Sequence, residues 1–233
     1  MVKTELVKQS PLRILDGSTH GGVGKGNLGV ISARHGVGKT SALVHLATDK
    51  LLQGKGVIHV TFSTRTDHIL EYYEEIFTEI SKVKNLELAM DAHDEMIHHR
   101  MIMNFDPKAC NLAHIFDSVK ARLSDKAFSA ETVIVDEYDF AHAKAADLQA
   151  FASFAKENNL EVWFSVSLKD EGAQAGADVP AVLQPFQDAF AVMINLRAFS
   201  DGKVHLELVK DHGNKPKKLP LVLDTKTLLI ARD

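Results

Sequence analysis

Residues 28–40, LGVISARHGVGKT, decide the fold. The apolar run 28–32 (LGVIS) has the near-continuous hydrophobic character of a strand buried on both faces, as in a parallel sheet covered by helices. It runs into Ala33-Arg34-His35-Gly36-Val37-Gly38-Lys39-Thr40, which fits the phosphate-loop pattern G-x-x-x-x-G-K-[ST] except that Ala33 replaces the first glycine. Such a loop needs small residues, so that successive backbone N–H groups can curl around phosphate oxygens beside the positive end of the next helix. Gly36 and Gly38 supply that freedom. The spacing would put Lys39 on β- and γ-phosphates and the Thr40 hydroxyl on magnesium, with Ser41 next in the same turn. The plainer alternative is a glycine-rich turn that only links strand to helix.

Working outward, further apolar runs follow at 57–62 (VIHVTF), 101–105 (MIMNF), 132–135 (TVIV) and 162–166 (VWFSV). Between them, residues 40–53, 66–82, 111–123 and 143–158 carry helical spacing; Leu148, Phe151, Ala152 and Ala155 recur at steps of three and four. Strand and helix in alternation predict an α/β fold with a mostly parallel central sheet. After about residue 190 the pattern changes. Residues 191–197, 204–209, 219–223 and 227–230, with Asp201-Gly202 as a hairpin turn, predict a C-terminal antiparallel meander. The glycine-rich stretch 21–26 (GGVGKG) has no strand before it and no Ser or Thr after Lys25, so it reads as a flexible lead-in.

The chain has 233 residues, 27 Lys+Arg against 31 Asp+Glu, a net charge of −4, 45% hydrophobic and 25% charged residues. These values suit a globular protein and exclude a disordered or fibrous one. Mild acidity argues against an overall coat of nucleic acid, although a local basic patch would be hidden in the average. A single cysteine, Cys110, permits no internal disulfide and fits a reducing compartment. The N-terminus carries no apolar leader and no segment is long enough to span a bilayer, so a soluble, cytoplasmic protein with no membrane partner is expected. Length and pattern predict one domain over 1–233, with 1–13 as an N-terminal extension.

The partner of the loop is 132–137 (TVIVDE), a β-forming run ending in two acids. A carboxylate at the C-terminal tip of a neighbouring parallel strand lies where magnesium and its waters would sit. Asp136 is the expected magnesium ligand, and Glu137 the group to orient or deprotonate a water.

With these blocks in place the chain resembles the RecA-like phosphate-loop ATPases, in particular the branch of DnaB-like replicative helicases, KaiC and RadA. The resemblance runs from about Ile14 to Leu229. It is carried by ILDGSTHGGVGKGNLGVISARHGVGKT, VIHVTFSTRTDHI, MIMNFDPKACNLAHIFDSVKARL, ETVIVDEYDF, VWFSVSLKD and VHLELVKDHGNKPKKLPLVLD. It implies binding of ATP with Mg2+ between subunits of a homo-oligomeric ring or filament, often coupled to motion along DNA. Three family positions are altered. Where the family has Phe-Ser-Leu-Glu, with the glutamate activating water, this chain has Phe62-Ser63-Thr64-Arg65, and an arginine is no base. Arg65 instead becomes a candidate contact for the base or γ-phosphate. The γ-phosphate-sensing glutamine of Ser-Gln-Leu is Ser167, in Val166-Ser167-Leu168. The trans-acting Lys-x-Arg is Lys210-Asp211-His212, whose imidazole is a weaker, pH-dependent cation. The resemblance therefore implies either a slow or conditional ATPase using nucleotide as a switch, or an ATP-binding interaction protein without turnover.

Twelve histidines invite a metal reading, and His93, His98 and His99 lie among Asp91, Asp94 and Glu95. Adjacent His98 and His99 diverge on a helix or a strand, so a polar surface loop is the expectation. Acidic residues 71, 74, 75 and 79 suggest a solvated helix face. The basic run Lys215-Pro216-Lys217-Lys218 reads as a hairpin tip or a phosphate contact. Segment 169–179 (KDEGAQAGADV) stands where the family holds DNA on a mobile loop; its three acids against one lysine would repel a phosphate backbone.

Overall fold

A computed structural model describes residues 2–63, 65–82, 86–125, 127–169 and 178–233. Segment 170–177, the body of the expected DNA loop, lies outside them, as does Thr64. Among the described residues nine strands form one sheet: β1 (Leu28–Arg34), β2 (Gly56–Thr61), β3 (Arg100–Asn104), β4 (Ala130–Asp136), β5 (Glu161–Leu168), β6 (Phe190–Ala198), β7 (Val204–Asp211), β8 (Leu221–Leu223) and β9 (Ile230–Arg232). Their order is β3-β2-β4-β5-β1-β6-β7-β8-β9. All pairings from β3 to β6 are parallel, and those from β6 to β9 antiparallel. The α/β class, the mostly parallel sheet and the C-terminal antiparallel strands are as the sequence predicts.

Among the described residues seven α-helices accompany the strands: α1 (Val2–Gln9), α2 (Leu12–Ser18), α3 (Lys39–Leu52), α4 (Thr66–Ser81), α5 (Leu86–His98), α6 (Leu112–Leu123) and α7 (Ala145–Glu157), with a 3-10 helix at Ala181–Ala189. On one face, Leu43, Ala47, Tyr73, Ile76 and Met96 of α3, α4 and α5 pack on Ile31, Val57 and Ile134. On the other, Ile115, Phe151, Phe154 and Leu183 pack on Val30, Ile58 and Phe164. Helices thus cover both faces, which is why β1 and β2 are buried on both faces, at every residue but Arg34.

Several expectations change. Asp136 is not on a strand next to β1, because β5 intervenes. β6, read as the first strand of the meander, pairs parallel to β1, and only β7 turns back. The expected loop around His93 is helix α5. Ala92 and Met96 bury one stripe at i,i+4, while His93 leaves solvent to meet Glu74 Oε2 at 2.5 Å and the ring of Phe77. Glu74, expected on a solvated face, also lies 3.7 Å from Arg100. The N-terminal extension belongs to the core: it holds α1 and the start of α2, with Leu6 and Leu12 buried in the α3 layer. The glycine-rich lead-in is a structured turn. Gly21, Gly22, Gly24 and Gly26 all adopt positive φ, Val23 is fully buried, and Gly26 N–H donates to Leu160 O at 2.8 Å. Among the described residues no helix is long and apolar enough to cross a membrane.

Candidate functional site

The site lies at the C-terminal ends of the parallel strands, where β1 and β4 hand over to their loops. After Arg34 the chain turns through His35–Gly38 into α3. Gly36 (φ 78°) and Gly38 (φ 107°) take conformations that side chains resist. Gly38 has a second constraint: a Cβ there would stand 2.3 Å from Leu223 Cδ2 of β8. Gly38 is also the N-cap of α3 and provides no side-chain cap. The first-turn N–H groups of α3 are therefore left to other acceptors.

Lys39 is 9% exposed and directs Nζ to Arg34 O at 3.3 Å, back across the loop. Burial lowers its ammonium below the usual lysine range, while Asp136 and Glu137 pull it upward. Thr40 Oγ1 donates to Asp136 Oδ2 at 2.9 Å, and Ser41 Oγ to Gly38 O at 3.3 Å. Asp136 is 1% exposed and its Oδ1 is buried without a hydrogen-bond partner among the described residues. A buried carboxylate oxygen with no donor is expensive, and a hydroxyl beside it adds a second oxygen ligand. This is the donor set a hard divalent cation uses.

Glu137 follows at φ 61°, an uncommon conformation for glutamate, held by its N–H donating to Ser165 Oγ at 2.9 Å. Its exposed carboxyl sits above the usual range, chiefly through partial desolvation and then the charge of Asp136, with Lys39 and His35 opposing. Ser165, a hydroxyl inside an apolar strand, escaped the sequence reading; that break in VWFSV was the available signal.

The remaining predicted residues divide. Ala33 is fully buried, its methyl in the core, so it meets the loop only through its backbone. Arg34, Val37, Glu137 and Ser167 line an open cleft of about 770 Å3 beside the loop. His35 is exposed. Arg65 stands at the N-cap position of α4 without a side-chain cap, and gives its guanidinium to Asp67 at 2.9 Å on the surface. Lys210 and His212 are not brought to the loop. β7 runs back from the loop end, so Lys210 sits opposite Met193, itself level with Val30, and His212 falls at the far end of the sheet. There Lys210 donates to Gln187 O at 2.6 Å. His212, at φ 53°, meets Asp211 Oδ1 at 2.9 Å and Val23 O at 3.2 Å.

Two further supports had no sequence signal. Leu223 seats the loop at Gly38, and buried His45 of α3 accepts the Ile230 N–H at 2.8 Å, tying β9 to the helix that starts the site. Burial holds the His45 imidazole down to about 4. No family model matches the chain, and no curated protein matches its sequence.

Proposed function

We propose that the protein is a RecA-like phosphate-loop NTPase that binds ATP with Mg2+ and uses slow or conditional hydrolysis as a switch. The observation that carries this is the pairing of Thr40 with Asp136 at 2.9 Å, beside a buried carboxylate oxygen that lacks a donor and next to Lys39. Thr40 and Asp136 would hold the cation, which neutralises phosphate charge when bound. Lys39 would exchange Arg34 O for β- and γ-phosphate oxygens, and the uncapped N–H groups at the start of α3 would take the others. Glu137, next in sequence to Asp136, would accept a proton from water, so that ATP and water give ADP and phosphate.

Arg65 bonded to Asp67, and Lys210 and His212 tied to the far end of their own chain, favour a second reading: an ATP-binding interaction protein with no turnover. On the first reading Lys210 and His212 serve a neighbouring copy in a homo-oligomer. Phosphate release from Mg-ATP by wild type and Glu137→Gln decides between them. Turnover abolished by Glu137→Gln supports the enzyme, and no turnover in wild type supports the binder. Failure of Mg-ATP to bind at all in calorimetry would overturn both. Adding single-stranded DNA tests for a DNA-stimulated motor.

A further inference from the structure

The buried Oδ1 of Asp136, unmet by any donor among the described residues, has a complementary neighbour in the same layer. Nε2 of His59, on β2, is also buried without a hydrogen-bond partner among them, in a side chain with no exposure at all. β2 and β4 pair in parallel, with His59 level with Ile134 and Thr61 level with Asp136. Level residues of paired strands share a face, so His59 and Asp136 lie on the face where Ile134 packs under α3 and α4, two residues apart along adjacent strands. Strand spacing and rise set their Cα atoms about 8 Å apart, within reach of an imidazole and a carboxylate. The Asp136 charge is felt at the His59 ring. Thr61, the residue level with Asp136, turns its Oγ1 to the Ser63 N–H at 3.1 Å.

Tyr73 of α4 decides whether that Nε2 is a donor. Its hydroxyl lies 3.1 Å from His59 Nδ1, with the two rings edge to face. Tyr73 is fully buried, and burial pushes its phenol well above the usual range, so the proton stays on oxygen. Oη therefore donates and Nδ1 accepts. Burial holds the His59 imidazole down to about 4, against the pull of Asp136 and with the push of Arg100. The ring is thus neutral at neutral pH, and its one proton sits on Nε2. Arg100 also stacks 4.6 Å over the Tyr73 ring, which helps to fix the phenol in place. Thr40 Oγ1 and Asp136 Oδ2 bond each other, so they must part to share a cation, and the carboxylate turns as they do. Resting on the reading of Thr40 and Asp136 as a cation site, we propose that His59 is a positioning residue for it: as the carboxylate turns, Oδ1 takes the Nε2–H of His59, which Tyr73 keeps in the required tautomer. Groups behind a metal ligand in this way set its direction and its affinity.

The test joins proton–nitrogen correlation NMR of the labelled histidine rings to calorimetry, on the full chain alone, with ATP and EDTA, and with ATP and Mg2+. Wild type, His59→Phe, His59→Gln and Tyr73→Phe are compared, and the signals missing from His59→Phe or His59→Gln identify the His59 ring. The expected result is a neutral ring protonated on Nε2, whose Nε2 signal moves with Mg-ATP and stays put with ATP and EDTA. The Mg2+-dependent gain in ATP affinity should fall about tenfold in His59→Phe and Tyr73→Phe, and stay within about threefold of wild type in His59→Gln, which keeps an N–H near the Nε2 position. Binding of ATP in EDTA should be equal in all four, whereas a merely structural role would weaken both affinities together. A ring protonated on Nδ1, an Nε2 signal unmoved by Mg-ATP that does bind, or a Mg2+-dependent gain unchanged in both Tyr73→Phe and His59→Phe would overturn the proposal. The wild-type tautomer and Tyr73→Phe decide it even where His59→Phe does not fold. No Mg2+-dependent gain in wild type would overturn the cation site and this proposal with it, and an intact gain there assigns any failure to His59 alone.

Discussion

Thr40 and Asp136 meet at 2.9 Å although the strands that deliver them, β1 and β4, are separated by β5. The contact is made because Asp136 ends its strand and Thr40 lies in the first turn of a helix packed across the sheet face. It leaves Asp136 as a buried charge with one oxygen unmatched. Asp136→Asn should therefore raise the melting temperature of the ligand-free protein by roughly 2–4 °C, as about 1 kcal/mol does in a chain of this size. The same variant should abolish the Mg2+-dependent part of ATP affinity, read by calorimetry with and without EDTA. A lower melting temperature in the absence of ligand would show that the carboxylate is already satisfied.

Gly38 is constrained twice, by φ 107° and by Leu223. Gly38→Ala should destabilise by about 1–3 kcal/mol in urea unfolding through strain and overlap together. Adding Leu223→Ala should not restore stability, because it relieves only the overlap and opens a cavity of its own. Full recovery in the double variant would assign the whole effect to crowding.

His45 fixes an acid limit. Its folded-state value is about 4 against 6.5 unfolded, so the unfolded chain binds the extra proton. The stability it confers is present above pH 6.5 and is lost as pH falls towards 4; the full difference is about 3 kcal/mol. His59, also buried and held to about 4, adds to the same window. His45→Asn, which offers the Ile230 N–H a neutral acceptor, should flatten the slope of stability against pH between 4 and 6.5. A slope equal to wild type would remove His45 as its source.

Arg65 faces solvent in a pair with Asp67. Arg65→Ala should leave Mg-ATP affinity within about twofold and the melting temperature within about 1 °C, since exposed ion pairs contribute little. A tenfold loss of affinity would place the guanidinium on the nucleotide.

Much of this was legible in the sequence because it rests on periodicity and on glycine: the buried strands, the loop with Gly36 and Gly38, and the acid pair closing β4. What escaped was non-local. No pattern within 132–137 says that β5 stands between the two halves of the site. Nothing near Lys210 shows that one reversal of chain direction carries it to the opposite end of the sheet. Helix α5 was hidden because, among its described side chains, only Ala92 and Met96 are buried, under a surface rich in acids and histidines. Glu207 looked like any polar residue of an alternating strand, and nothing in that pattern shows that its Oε2 is buried without a hydrogen-bond partner among the described residues.

Strand order also governs when the molecule can become itself. β1 is the first strand in the chain, yet both its neighbours, β5 and β6, arrive from the distant second half, and the His45 to Ile230 bond joins positions 185 residues apart. Closing such long loops is slow and precedes the contacts that reward it. During synthesis the loop-bearing strand must wait, its apolar edges bare, until nearly the whole sheet has emerged. The segment with the most local sequence signal is thus completed late, and chaperone dependence should track residues 28–34 more than any later strand.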